Sequence, residues 1–193
     1  MAARSSQSPA TYADIEALPP NLVGEIVRGV LYASPRPASP HAAAASAVGE
    51  ELGPPFKRGR GGPGGWLILD EPELHLSSDI LVPDLAGWRR ERLPRVGDEA
   101  YFELRPDWVC EVLSPSTEKQ DRTAKLSIYA REDVPNAWLV NPVQRTLEVL
   151  RLTSEGWLTL AVHHDDQRVR AEPFDAVELD LGVLWADLKP EPR

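Results

Sequence analysis

The sequence predicts an α+β fold, in which a mixed β-sheet with an α/β-type core is flanked by helices. Short apolar runs of strand length outnumber the helical patterns, and the longer helical patterns cover residues 39–52 and 117–129. Nineteen prolines and thirteen glycines favour turns and stiff loops over long helices. A chain of 193 residues can bury one sizeable core. We therefore expect a disordered tail at residues 1–10 and a single domain at residues 11–193.

The overall charge and composition limit the classes of function. The formal net charge is −9, whereas a protein that coats nucleic acid is usually basic. This charge still permits an enzyme with local basic patches and an acidic metal site. The single cysteine, Cys110, excludes an internal disulfide framework and a multi-cysteine zinc site. The chain has no apolar run of roughly 18 residues and no apolar segment of a signal peptide, so we expect a cytoplasmic protein that does not enter the membrane.

A β-hairpin is predicted near the N-terminus, after a short helical pattern. The apolar stretches 23–27 and 30–33 flank Arg28 and Gly29, which is typical of two strands joined by a tight turn. The carboxylate of Glu25 lies in the first of these strands.

A helix and a basic stretch follow the hairpin. Ser39 and Pro40 are typical of a helix start, and the helix is expected to continue through an alanine-rich segment to Leu52. We predict a flexible loop at residues 54–65. Its three cations could contact nucleic-acid phosphates or could simply face solvent, and the sequence favours neither interpretation. They are Lys57, Arg58 and Arg60.

Most of the remaining elements are predicted strands. Residues 66–69 predict one strand, and residues 80–88 predict another, which Pro83 interrupts and which carries Asp84. The C-terminal part predicts a strand at 137–140, a hairpin of 146–152 and 157–162, an edge strand near 168–171 and a short helix near 183–188.

The most informative segment begins with the apolar run 108–113, which predicts a strand buried on both faces. Glu111 lies inside this run. Because side chains alternate along a strand, Glu111 shares a face with Val109 and Leu113, and Cys110 points to the opposite face. A bare carboxylate there would cost roughly several kcal/mol. Glu111 therefore needs a cation, a proton or hydrogen-bond donors.

A helical pattern follows this strand after the break at residues 114–116. Thr117 and Gln120 match a capping box that would start the helix. Four later residues are spaced so that they share one helical face. They are Asp121, Lys125, Ile128 and Tyr129. Because two of the four have large apolar bodies, we expect this face to point inward and to direct Lys125 towards Glu111.

Two strand carboxylates, Asp84 and Glu111, suggest a metal site. They lie 111 − 84 = 27 residues apart, which leaves room for a loop and a neighbouring strand. Two like charges about 4 Å apart repel by roughly 4 kcal/mol at an effective dielectric of 20, and a divalent cation removes that cost. Oxygen ligands with waters favour Mg²⁺ or Mn²⁺ over zinc, and Lys125 could stabilise charge on a phosphate. Taken singly, each residue is more often a turn residue, a cap or half of a buried ion pair.

This pattern resembles the PD-(D/E)XK nuclease superfamily. Pro83 and Asp84 match the first half of its signature, and Glu111 begins the second half. The departure is Leu113, which stands where the signature has a lysine. In some branches of the superfamily that lysine moves to the following helix, and Lys125 is the candidate here.

The chain resembles more closely the Uma family of bacterial restriction-endonuclease-like proteins, over roughly residues 12–187. Several motifs carry this resemblance. They are Gly24-Glu25-Ile26-Val27-Arg28-Gly29, Ser39-Pro40-His41, Val82-Pro83-Asp84-Leu85-Ala86, Glu111-Val112-Leu113-Ser114-Pro115-Ser116-Thr117, then Asp121, Lys125, Tyr129, and Val134-Pro135 before Trp138-Leu139-Val140.

The resemblance implies a restriction-endonuclease-like fold and a metal-dependent endonuclease that acts on DNA, with RNA as the alternative substrate. Asp84 and Glu111 would bind Mg²⁺ or Mn²⁺ and form the catalytic set with Lys125. The accessory residues would be Glu25, Asp121 and His41. Superfamily members often dimerise, so a homodimer is expected. A rival interpretation keeps the fold but not the catalysis, as a binding or regulatory module, and the missing strand lysine and the charge of −9 favour it.

Other chemistries find less support in the sequence. The chain has no G-x-S-x-G nucleophile motif and no G-x-x-x-x-G-K-[ST] phosphate loop. Residues 163–166, with two histidines and two aspartates, could attract a metal, but a solvated turn between strands fits them better.

Overall fold

The computed structural model of the protein describes residues 8–35 and 37–189. Residues 1–7, the larger part of the predicted tail, lie outside the described residues. The described chain forms twelve strands and five α-helical segments with two π-helical turns. The strands are β1 (Leu22–Val27), β2 (Val30–Pro35), β3 (Trp66–Asp70), β4 (Leu74–Leu76), β5 (Asp79–Leu81), β6 (Leu85–Arg89), β7 (Trp108–Val112), β8 (Asn136–Asn141), β9 (Thr146–Thr153), β10 (Gly156–His164), β11 (Arg168–Val169) and β12 (Leu179–Asp180).

The helical segments are short except for one. The α-helices are α1 (Tyr12–Glu16), α2 (Ser39–Leu52), α3 (Glu118–Gln120), α4 (Leu126–Arg131) and α5 (Gly182–Trp185). The π-helical turns are Gly53–Lys57, directly after α2, and Asp121–Lys125, between α3 and α4. None of these described helices combines the length and the apolar character that a membrane crossing requires.

The strands form two main sheets, which confirms the predicted α+β class. The larger sheet has the order β10-β9-β8-β7-β6-β3, and the smaller has the order β2-β1-β5-β4. In the larger sheet β7 and β8 run parallel, and the other neighbouring pairs run antiparallel. The parallel pair is joined through the helical segment 118–131, as a crossover connection requires. The strand β7 therefore lies inside the sheet, with its carboxyl end close to the start of that helical segment.

The prediction of one strand at residues 80–88 is wrong. The structure divides it into β5, which pairs with β1 and β4, and β6, which pairs with β3 and β7. Pro83 lies at the break because proline has no N–H for a strand ladder. The chain therefore passes from the smaller sheet to the larger one immediately before Asp84.

Two predictions about local structure near the helices also need correction. The basic stretch 54–65 is not wholly a loop, because the first π-helical turn extends to Lys57 and buries Phe56 against Phe174, with ring centroids 4.8 Å apart. The capping box at Thr117 is absent, since its side chain makes no capping hydrogen bond. Its hydroxyl lies 2.9 Å from that of Ser114 instead.

The core consists of two apolar layers on the two faces of β7. The α2 layer includes Ala44, Val48, Leu52, Trp108, Cys110 and Val112. The α4 layer includes Val109, Leu113, Leu126, Ile128 and Tyr129. All five residues of β7 are buried, as the sequence predicts for a strand that is covered on both faces. Glu111 therefore points into the α4 layer, and it is buried there.

Candidate active site

The candidate site is built around Glu111 in the central strand. Its side chain is 3% exposed, and each of its oxygens has a hydrogen-bond donor. The hydroxyl of Tyr129 donates to Oε1 at 2.6 Å, and Nζ of Lys125 donates to Oε2 at 3.2 Å. The sequence requires a cation or donors at this carboxylate, and the structure supplies both from the helical segment that follows the strand.

Lys125 connects three carboxylates from separate parts of the chain. Its Nζ lies 3.0 Å from Oε1 of Glu25, 3.2 Å from Oε2 of Glu111 and 3.5 Å from Oδ1 of Asp121. Glu25 belongs to β1 of the smaller sheet, and the same oxygen accepts a hydrogen bond of 2.9 Å from the backbone N–H of Val82. The buried lysine thus joins the two sheets close to the point where the chain passes between them.

The second π-helical turn holds both Asp121 and Lys125. The backbone N–H of Leu126 donates to the carbonyl of Asp121, five residues earlier, which is the π pattern. Asp121 and Lys125 are both buried at the two ends of this turn. The sequence predicts the inward face but gives no signal of the extra residue in the turn, because helix periodicity does not reveal single π-turns.

The buried groups of the site have perturbed pKa values, because burial disfavours their charged forms and neighbouring charges add to that effect or oppose it. Burial raises the pKa of Glu111 well above its ordinary value; Lys125 opposes this, and the neighbouring acids reinforce it. Burial likewise raises the pKa of Asp121. Burial alone would lower the pKa of Lys125, but Glu111, Glu25 and Asp121 outweigh it and hold that pKa well above its ordinary value. The amine is therefore charged, and its three acids compete for it.

Asp84 lies at the carboxyl end of β7, beside this cluster. Its Oδ2 accepts a hydrogen bond of 2.6 Å from the backbone N–H of Val112. The pairing of β7 with β6 ends before Val112, so this N–H has no strand partner on that side and bonds to Asp84 instead. Its Oδ1 lies 3.2 Å from Nε2 of His41 in the first turn of α2. The charge of Asp84 contributes to the raised pKa of both Glu111 and Asp121. Asp84, which lies in the break just before β6, and Glu111 of β7 are thus electrostatically coupled, as the metal hypothesis requires.

A cavity of about 490 Å³ gives access to Asp84 from the α2 side. Small side chains of α2 form one wall, and His41, Lys57 and Asp70 also line it. The Nδ1 atom of His41 is buried and has no hydrogen-bond partner within the described parts of the chain. The cavity brings one cation of the predicted basic stretch, Lys57, to the site, whereas Arg58 and Arg60 are exposed and do not line it.

The family model for Uma2, described as a putative restriction endonuclease, matches residues 9–182. The chain belongs to the Uma2 family. The predicted family resemblance is thereby confirmed, and the family is described as one of putative nucleases. A comparison of the sequence with curated proteins found no match.

A solved structure resembles this Uma2 protein over nearly its whole length. It is the crystal structure of a putative nuclease belonging to DUF820 from Anabaena variabilis, with a TM-score of 0.70 and 22% sequence identity. The match covers 92% of this chain and 98% of that chain. At this identity the likeness supports the fold, and it agrees with the restriction-endonuclease-like architecture that the sequence predicts.

The structure places the predicted catalytic and accessory residues of this Uma2 protein in two neighbouring groups, and of these residues only Asp84 and His41 line the cavity. Glu25, Glu111, Asp121 and Lys125 form the ion-paired cluster, and Asp84 with His41 adjoins it. Sequence reasoning assigned no role to Tyr129, although its spacing of four residues from Lys125 already placed it on the same helical face. Its hydrogen bond to Glu111 emerges only from the folded structure.

The donor chemistry of Asp84 and Glu111 fits Mg²⁺ or Mn²⁺, although the residues that the structure describes hold no group of three or more His, Cys, Asp or Glu side chains arranged as a metal site. Magnesium in particular retains several waters and often takes one or two carboxylates from the protein. Three acids contact a single lysine and Asp84 lies close to them, so the site holds negative charge that a cation would neutralise. The histidines and aspartates of residues 163–166 form no metal group either.

Proposed function

We propose that this Uma2 protein is a Mg²⁺- or Mn²⁺-dependent endonuclease that hydrolyses phosphodiester bonds in DNA. One observation carries the proposal: a buried lysine and a buried glutamate lie beside an aspartate that a solvent-connected cavity reaches. These residues are Lys125, Glu111 and Asp84. A contribution to stability does not explain the cluster, because one buried lysine paired with three acids leaves negative charge uncompensated.

Each residue has a separate role in this proposal. Asp84 and Glu111 would hold the metal, which when bound supplies charge stabilisation and a more acidic water. The ammonium of Lys125 would stabilise the charge that develops on the phosphate or orient the attacking water. Glu25 and Asp121 hold Lys125 in place by ion pairs.

The residues on the α2 side of the site would fix the Asp84 carboxylate and contact the substrate. His41 and the N–H of Val112 fix the two oxygens of Asp84, so that its carboxylate cannot rotate freely. Lys57 lies in the cavity wall, where it would contact a phosphate next to the scissile one. Arg58 and Arg60 would extend this contact along the DNA backbone from their exposed positions.

Cleavage of supercoiled plasmid DNA tests this proposal. The wild type is expected to cut in the presence of Mg²⁺ or Mn²⁺ and to lose that activity in EDTA. Asp84→Ala and Lys125→Ala are expected to be inactive, whereas Lys119→Ala, an exposed lysine in the same helical segment, should remain active. Equal cutting by all four proteins would indicate a contaminating nuclease or another site and would reject the assignment.

A binding or regulatory module without catalysis is the second candidate. It is favoured by the buried apolar Leu113 at the lysine position of the superfamily signature and by the net charge of −9. Calorimetric titration of the folded protein with Mg²⁺ separates the two functions, since the module would bind no metal. Parallel cleavage assays on single-stranded and structured RNA distinguish the RNA-directed alternative.

We also propose that the enzyme acts as a homodimer, because cutting both strands of a duplex needs two active sites or two successive events. Light scattering should then give a mass close to twice that of the 21.3 kDa chain. A monomer that still makes double-strand breaks would contradict this part of the proposal.

A further inference from the structure

Tyr129 makes the shortest contact to Glu111 in the candidate site. Its hydroxyl donates to Oε1 at 2.6 Å, and its side chain is fully buried in the α4 layer. A tyrosine hydroxyl that donates to a carboxylate forms a charge-assisted hydrogen bond, which is stronger than one between neutral groups. Nothing in the proposed chemistry requires this residue to touch a substrate, so its role must act through Glu111.

The position of the tyrosine ring is fixed independently of the site. The ring packs in the apolar α4 layer with Leu113 and Leu126. The carbonyl of Leu126 accepts a hydrogen bond of 2.7 Å from the indole of Trp157 on β10, which attaches the helical segment to the sheet. The hydroxyl of Tyr129 is therefore held in a fixed position from which it donates its hydrogen bond to Glu111.

The two oxygens of Glu111 are divided between two donors of one helical face. Lys125 takes Oε2, and Tyr129 takes Oε1. A donor at only one oxygen would leave the carboxylate free to turn about its last bond. With both donors in place, the plane of the carboxylate is set.

We propose that Tyr129 is a positioning residue that holds the Glu111 carboxylate in the orientation in which it and Asp84 share a divalent cation. This inference rests on the proposed function. Groups that orient a metal-binding carboxylate typically contribute 10- to 100-fold to metal affinity or activity. Removal of the hydroxyl should therefore weaken metal binding without changing how DNA is bound.

The test compares Tyr129→Phe with Tyr101→Phe, since each removes one tyrosine hydroxyl and keeps the ring, and Tyr101 stacks on His75 away from the Glu111 cluster. Calorimetry with Mn²⁺ alone, without DNA, is expected to show an affinity roughly 10- to 100-fold lower for Tyr129→Phe and an unchanged affinity for Tyr101→Phe. In cleavage assays Tyr129→Phe should lower kcat at subsaturating metal and leave KM for DNA unchanged. Replacing the Tyr129 ring with 3-fluorotyrosine, which keeps the hydroxyl, should retain the wild-type affinity.

Urea unfolding without metal checks the hydrogen bond itself. A double-mutant cycle of Tyr129→Phe and Glu111→Gln should be clearly non-additive, because both changes alter one contact. Wild-type Mn²⁺ affinity in a folded Tyr129→Phe variant would overturn the inference and leave the proposed function standing. A wild type that binds no Mn²⁺ and cuts no DNA would overturn both, and the two failures are thus distinguishable.

Discussion

Nζ of Lys125 lies 3.2 Å from Oε2 of Glu111 across a separation of 14 residues, and both side chains are buried. The same amine contacts Glu25 and Asp121. One ammonium therefore serves three carboxylates, while Asp84 adds a further negative charge nearby. Burial and this imbalance together determine how the site should respond to pH and to substitution.

Stability should decrease with rising pH because of Glu111. Its folded-state pKa is raised well above the ordinary value of 4.5, chiefly by burial, so the folded state binds a proton there more tightly than the unfolded state. The resulting stabilisation is complete below the ordinary pKa and is lost as the pH rises towards the raised pKa. We expect Glu111→Gln to flatten the decline in the free energy of unfolding above pH 4.5.

Urea unfolding of both proteins across the acid-to-neutral range measures this effect. Glu103→Gln, at an exposed position, should keep the wild-type slope. An identical decline in the wild type and in Glu111→Gln would show that another group is responsible.

Loss of the lysine charge should be strongly destabilising. Lys125→Met leaves three acids without their cation, and breaking a buried ion pair typically costs about 3–5 kcal/mol. The cost should shrink at acid pH, where the acids take up protons. Lys119→Met removes an exposed charge from the same helical segment and should change stability by less than about 0.5 kcal/mol. If the two substitutions lowered the free energy of unfolding in denaturant by similar amounts, the stabilising role of Lys125 among the buried acids would be refuted.

Restoring the lysine of the superfamily signature at residue 113 should damage the protein. Leu113 is 1% exposed and belongs to the α4 layer, so Leu113→Lys would bury a second amine at a cost of roughly several kcal/mol. Leu113→Met keeps the volume and should cost less than about 1.5 kcal/mol. Thermal unfolding of the two variants measures the difference. A stable and fully active Leu113→Lys variant would show that the strand position can still hold the catalytic amine.

The cation in the cavity wall should matter more for DNA binding than the exposed cations after it. Lys57 lines the cavity beside Asp84, whereas Arg60 does not. Lys57→Gln is expected to reduce the slope of log affinity against log salt by about 1. Fluorescence anisotropy of labelled DNA, at several salt concentrations and with Ca²⁺ in place of Mg²⁺, measures this slope. A larger effect of Arg60→Gln would place the DNA path outside the cavity.

Local patterns were sufficient to predict several parts of the site. The alternation of side chains put Glu111 on one face of a buried strand and Cys110 on the other, and the structure agrees. Helical spacing predicted that Asp121 and Lys125 share an inward face, and both are buried. These features depend on neighbours in sequence, so the sequence carries them directly.

Contacts between segments that are far apart in the sequence could not be predicted in this way. The division of residues 80–88 between two sheets depends on which partners β5 and β6 find, and Pro83 only permits the break. The approach of Glu25 to Lys125 depends on how the two sheets are placed. No local pattern encodes either arrangement.

The sequence by itself therefore determined that a strand carboxylate must be buried and that a lysine from the next helix must point towards it. Only the tertiary structure decided that this lysine also meets Glu25, that Tyr129 holds the second oxygen of Glu111, and that Asp84 is fixed by His41 and the backbone of β7. The reason is physical. Periodicity sets the direction of a side chain relative to its own element, whereas sheet pairing and core packing set which other elements it meets.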